Sequence, residues 1–287
     1  MKLEILGSGG AVTTPKPFCD CAVCQLARNS DAPQHSRFGP SVFVHGPDVL
    51  IDTPEEIKLQ INRSTITSIA ACVFSHWHPD HTMGHRFLEH NIDWLGMPPQ
   101  HGKTKVIIPK TVATSFENRI GIMQHFEYYL GLGIVDLSVV ADDELFELNG
   151  YMIRPIKLAI DYVFGYDIRS SSTRILVIMD ELKGWEPSEV IAGTPYDLVY
   201  LPIGVFDLNP ISGERIVAAD HPILNDEQAL AETIEIMRKL DARSFVLSHI
   251  EELDGISYEL GNELSTHMSA ELGTNVKVAY DTMMVEL

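Results

Sequence analysis

Ser75-His76-Trp77-His78-Pro79-Asp80-His81 follows an apolar run, AACVF (70–74), and places three imidazoles and a carboxylate within six residues. A strand ending at Phe74 delivers the first imidazole, and a loop can then fold all four groups toward one centre. Imidazole and carboxylate together suit zinc, iron or manganese. Outward from this stretch the chain repeats the same grammar. Short runs rich in β-branched and apolar residues alternate with turn signals at 2–6, 41–44, 49–52, 105–108, 133–140, 151–158, 174–179, 198–203, 244–248 and 276–280. Each reads as a strand. Leu230, Ile234, Met237 and Leu240 share one face at helical spacing, so 225–241 reads as a helix with a cap-like start at Asn225 and Gln228. Weaker helical patterns cover 19–29, 54–62, 111–118 and 254–270, and 95–103 and 207–215 read as loops. Strands and helices mix throughout, without repeat or linker. That predicts one α/β domain over 1–287.

Composition narrows the function classes. Of 287 residues, 45% are hydrophobic, enough for a sizeable core. No window of about 18 apolar residues exists to span a membrane. The N-terminus MKLEILGSGG lacks a basic region leading to a long apolar run and reads as a first strand, which predicts a cytoplasmic chain. With 21 Lys+Arg against 40 Asp+Glu, the net charge of −19 repels nucleic acid and anionic lipid. A phosphate-bearing substrate would need a local positive centre, which a metal ion supplies. Of the four cysteines, Cys19, Cys21 and Cys24 lie within six residues. Without an export signal this spacing points to metal binding rather than disulfides. Three such thiolates plus one distant ligand predict a structural zinc.

The string H-x-H-x-D-H resembles the signature of the metallo-β-lactamase superfamily, which implies an αββα sandwich with a metal site at one edge. The resemblance implies that His76 and His78 serve one metal, and that Asp80 and His81 serve a second. Two metals about 3.5–4 Å apart would polarise a phosphoryl or acyl oxygen and hold a bridging hydroxide as nucleophile. Asp80 therefore counts with the catalytic residues as well as the ligands. Asp180, after 174–179, matches the bridging carboxylate, and His249, after 244–248, matches the last imidazole of the second metal. Asp52 matches a carboxylate that holds the His loop through hydrogen bonds.

With the cysteine triplet, the chain looks like the branch containing the phosphoribosyl cyclic phosphate phosphodiesterase of carbon–phosphorus lyase operons and the B protein of pyrroloquinoline quinone biosynthesis. Further matches are Ser41, Gly165-Tyr166, Asp220-His221-Pro222 and Ala279-Tyr280-Asp281. By this resemblance His221 handles the substrate or leaving group. Two positions depart from the branch. Ala159 stands where relatives carry a third imidazole for the first metal. Asp161, two residues on, points to the same side of an extended segment and is the expected substitute. A carboxylate there would shift preference toward manganese or iron, and the alternative is a weak or absent first metal. Glu252 stands where relatives close the cysteine site with His; it is the first choice for that ligand, with His267 and His35 as substitutes. His45, His85, His90, His101 and His125 read as ordinary histidines, with a place in the pocket lining as the alternative for His85 and His90. The resulting expectation is two active-site divalent metals (zinc, manganese or iron), one structural zinc, and hydrolysis of a small, cyclic or linear phosphodiester. An iron-dependent oxidoreductase and a non-enzymatic metal-binding protein are the alternatives. The expected partner is a small phosphorylated substrate, without nucleic acid or membrane, and a homodimer is compatible with the sequence.

Overall fold

The computed structural model describes residues 1–92, 95 and 102–287. The loop read at 95–103, with His101, therefore lies largely outside the described residues. Fourteen strands are described, in two mixed seven-stranded sheets. In chain order they are β1 Lys2–Gly7, β2 Ser41–His45, β3 Val49–Ile51, β4 Ala71–Val73, β5 Thr104–Pro109, β6 Val135–Val140, β7 Phe146–Leu148, β8 Tyr151–Lys157, β9 Phe164–Arg169, β10 Arg174–Val177, β11 Leu198–Pro202, β12 Ser244–Ser248, β13 Asn275–Val278 and β14 Met284–Glu286. The first sheet runs β14-β1-β2-β3-β4-β5-β6 and the second β13-β12-β11-β10-β9-β8-β7.

Side-chain alternation along the strands explains the layering. Val42 and Val44 of β2, Val49 and Ile51 of β3, and Ala71 and Val73 of β4 face the second sheet, where Tyr166, Ile168, Ile175, Val177, Leu198 and Tyr200 meet them. The residues between, Phe43, Leu50 and Cys72, point outward onto Val112, Phe116, Phe126 and Tyr129. On the far side, Val199 and Leu201 of β11 and Phe245 and Leu247 of β12 pack on Ile236, Met237, Leu264 and Met268. The helices behind these contacts are Leu230–Lys239 and Tyr258–Leu272. The result is helix, sheet, sheet, helix, the αββα sandwich expected. Strands buried on both faces read as unbroken apolar runs, which is why they were legible. Each buried Leu, Val or Phe contributes about 1.5–3 kcal/mol. Cys72 is the inert core thiol of this packing, wholly buried with its pKa pushed well up by burial.

Three strands escape the sequence reading: β7, β9 and β14. β9 carries Gly165, Asp167 and Arg169 within six residues, a pattern that reads as loop, yet it is buried along most of its length. Gly165 is required there, since a Cβ would lie 2.7 Å from Ile178 Cγ1 and 2.9 Å from the Val177 carbonyl. The helix read at 225–241 begins at Leu230, capped by Ala229 N–H donating to Glu232. Asn225 belongs to a separate turn, Ile223–Asp226, which ends where Glu227 is extended.

Among the described residues no helix is long and apolar enough to cross a membrane. The parallel strands β3, β4 and β5 of one sheet and β10, β11, β12 and β13 of the other end at one edge of the sandwich. The loops leaving those carboxyl ends build the site.

Candidate metal centre

Asp52 directly follows β3 in the left-handed region (φ 62°), and its carboxylate is wholly buried. It accepts the Ser75 backbone N–H at 2.7 Å and the Ser75 hydroxyl at 2.5 Å. Its Oδ2 also takes His81 Nδ1–H at 2.7 Å, while Ser75 Oγ lies 2.9 Å from His76 Nδ1. One carboxylate thus orients two imidazoles, His81 directly and His76 through Ser75. Both present Nε2 to the interior. Those two atoms, and His249 Nε2, are buried without a hydrogen-bond partner. Three orphaned imidazole nitrogens converging on carboxylates fit a cation, because a buried unpaired acceptor is otherwise costly.

The donors fall into two groups, each with ligand atoms within 4.8 Å of one another: His76, His78, Asp180 and Glu181, and Asp80, His81 and His249. Asp180 Oδ2 lies between them, 3.9 Å from His76 Nε2, 3.7 Å from His81 Nε2 and 3.3 Å from His249 Nε2. Asp80 Oδ2 lies 3.2 Å from His81 Nε2 and 3.6 Å from His249 Nε2. The residues present fit two cations with Asp180 between them. His249 (φ 57°) and Glu181 (φ 60°) repeat the left-handed backbone of Asp52. This costs a non-glycine residue about 1–3 kcal/mol, and such strain clusters at functional sites. Gly10 packs against this corner: a Cβ there would lie 2.7 Å from His249 Nδ1 and 2.2 Å from Glu251 Oε1.

Charge follows the geometry. Burial pushes His76 well below the ordinary imidazole range and lowers His78. Burial also opposes charge on His81 and His249, but the aspartates outweigh it. His81 is held well above its usual value by Asp80 and Asp52, and His249 is raised to about 9 by Asp180 and Asp80. Asp80 and Asp180 are correspondingly held well below the carboxylate range despite burial. The same aspartates that favour a proton on His81 and His249 would favour a cation beside them. A dication would displace such a proton, so metal uptake should release protons.

Two expected site residues fall outside this centre. Asp161 does not approach the first metal position. Its side chain is 91% exposed and pairs with Lys157 at 3.3 Å. The segment carrying it is a turn in which Val163 N–H donates to the Ile160 carbonyl, so the alternation expected of an extended chain does not apply. His221 is exposed, accepts the Ile223 N–H at Nδ1, and is absent from the cavity lining. Its ring is taken up at the start of the Ile223–Asp226 turn. His85 and His90 do not line the cavity either: His85 is buried against His125, and His90 faces a separate surface pocket. Sequence reasoning missed Glu181 and gave no role to Ser75. Only the adjacency of Glu181 to Asp180 signalled it.

The cysteine group stands together with Glu252, all four ligand atoms within 4.8 Å of one another. The Sγ atoms of Cys19, Cys21 and Cys24 lie 2.9, 3.2 and 3.1 Å from Glu252 Oε1. Backbone N–H groups of Cys21, Cys24 and Lys16 point at Cys19, Cys21 and Cys24 sulfur, respectively. Cys21 caps the helix Ala22–Asn29, whose N-terminal dipole favours thiolate. These donors fit a cation. His35 and His267 are not part of the group.

Several solved structures share this architecture end to end. A diphosphatase of the PhnP family is 23% identical, with a TM-score of 0.68 over 100% of this chain and 97% of that one. Zinc-bound PqqB from Methylobacterium extorquens is 18% identical, with a TM-score of 0.65 over 100% of both chains. The metallo-β-lactamase fold protein YhfI from Bacillus subtilis is 12% identical, with a TM-score of 0.66 over 99% and 97%. The chain has the metallo-β-lactamase fold. Both donor clusters lie where the loops of that fold's two sheets meet. No protein-family profile matches the chain. Among curated proteins, an octanoyltransferase of Porphyromonas gingivalis is 26% identical over 159 residues, 55% of this chain. The match spans 30% of that protein's length, so the chain covers under a third of the curated relative.

Proposed function

We propose that the chain is a metal-dependent hydrolase acting on a small phosphodiester. The observation that carries the reading is the shared placement of Asp180 between two imidazole-rich donor groups. They open into a cavity of about 290 Å³, a volume that suits a small substrate. The likeness to a diphosphatase supports phosphoryl chemistry.

Bound divalent ions would supply Lewis-acid polarisation of a phosphoryl oxygen and an acidified water. The chain's own residues do the rest. Asp52 and Ser75 fix the imidazoles before any ligand arrives, which avoids reorganisation during reaction. The cavity is lined by Asp80, Asp180, Glu181, Glu227, Glu251 and Asp254, with a single lysine, Lys183, and the imidazoles of His78 and His249. Lys183 is itself engaged by Glu232 and the Leu224 carbonyl. A phosphate anion would be repelled from such a surface, so the metals must provide the attraction. Proton delivery to a leaving group falls to the carboxyl wall rather than to His221. Burial raises Glu227 and Glu251, and lifts Asp254 to about 7, near the pH at which a general acid works best.

The oxidoreductase alternative gains plausibility from a depleted ligand set at the first metal, and Glu181, within 4.8 Å of the other donors of that group, would make up the deficit. The cysteine group with Glu252 is assigned as a structural zinc. Assays of bis-aryl and cyclic phosphodiesters, on protein of measured metal content, test the proposal. Metal-dependent turnover supports it, and metal-loaded protein inactive on all of them contradicts it.

A further inference from the structure

We propose that Glu181 is a direct ligand of the metal at His76 and His78, filling the coordination position that Ala159 leaves open. The assignment rests on the metal-centre reading above and adds the identity of a ligand. Glu181 Oε1 lies 3.4 Å from His78 Nδ1. Two donors each about 2.0–2.2 Å from a tetrahedral ion are separated by about 3.4 Å. That spacing is too long for a hydrogen bond and right for a shared cation. The opposite side of the group is His76 Nε2, wholly buried and without a partner, 3.9 Å from Asp180 Oδ2.

Backbone conformation explains how two adjacent carboxylates reach one centre. In an extended strand Asp180 and Glu181 would point to opposite faces. The left-handed turn at Glu181 (φ 60°) breaks that alternation just beyond β10. Both side chains then line the same cavity. Largely burying two neighbouring carboxylates is unfavourable by itself, and a dication between them and the imidazoles would reverse the sign. The donor set becomes two imidazoles and two carboxylates. Asp80, His81, His249 and the shared Asp180 give the other group the same composition, so both are harder than an all-imidazole site and manganese is a fair probe of each.

The test uses manganese as probe. Wild-type protein is stripped at the His cluster with chelator, titrated with Mn2+, and free Mn2+ is followed by electron paramagnetic resonance. Elemental zinc at the cysteine site, one equivalent throughout, verifies the fold. Glu181→Gln keeps the shape and a hydrogen-bond acceptor for His78 but loses the anionic ligand. Glu181→Asp keeps the charge but shortens the reach. Wild type should take up two equivalents, and each variant should bind one of them at least about tenfold more weakly, with the other unchanged. Two equally tight equivalents in both variants would overturn the assignment while leaving the metal centre standing. Wild type that binds no ion at the His cluster would overturn both.

Discussion

Asp52 Oδ2 lies 2.7 Å from His81 Nδ1, and both side chains are wholly buried. The contact fixes the tautomer: Nδ1 carries the proton and Nε2 is left to the centre. Asp52→Asn keeps the left-handed backbone that Asn tolerates, but offers an amide where the imidazole needs an acceptor. Metal affinity at the His81–His249 site should fall about 10–100-fold, measured by competition with a coloured chelator. An unchanged affinity would mean that packing alone orients His81.

Asp180 is predicted to be the residue on which both ions depend. Asp180→Ala should bring hydrolysis down to the buffer control and leave a folded chain with reduced occupancy at both His groups. Circular dichroism and elemental analysis read the two outcomes separately. Near-normal metal content and rate in this variant would remove Asp180 from its place between the ions.

The cysteine group should behave as a fastener. Cys21→Ser should lower the melting temperature by several degrees and release zinc to chelator sooner, while turnover per folded chain stays close to wild type. Thiol labelling provides the counterpart in wild type: Cys19, Cys21 and Cys24 should react slowly until chelator is added. Immediate labelling of three thiols in zinc-replete protein would refute zinc ligation.

His85 predicts an acid limit to stability. Its Nδ1–H donates to the Thr82 carbonyl at 2.9 Å, and Nε2 lies 2.8 Å from His125 Nδ1. Burial lowers its pKa to about 4, from an ordinary value of 6.5. The fold disfavours the charged ring, so the unfolded chain gains the proton first as pH falls. Stability is therefore full above 6.5 and is lost between 6.5 and about 4, by about 3 kcal/mol from this group. Urea unfolding at pH 8, 6 and 5 should show a steeper acid loss for wild type than for His85→Gln. Parallel curves would show that His85 carries no such penalty.

Much of this architecture was legible because its physics is local. Period-2 and unbroken apolar runs set most of the strands, and the spacing His76, His78, Asp80, His81 marked the centre. Glu252 fell where three cysteines needed a fourth donor. What escaped was non-local or conformational. Asp161 was expected at the first metal by strand alternation, but a turn carries it to the surface beside Lys157. Glu181 was overlooked for the mirror reason: alternation places it opposite Asp180, and no sequence signal announces a left-handed glutamate. His221 resembled a leaving-group residue by its neighbours Asp220 and Pro222; the structure places it exposed, taking the Ile223 N–H at the start of a turn.

The most direct measurement is elemental analysis of protein purified without added metal, on the same sample assayed with bis-aryl and cyclic phosphodiesters. The account predicts one zinc retained by Cys19, Cys21, Cys24 and Glu252, two further divalent ions at the His groups, and hydrolysis that disappears when those two are removed by chelator and returns when they are restored. Phosphodiester hydrolysis that persists after the His groups are emptied, or a single iron at those groups with no hydrolysis, would contradict it.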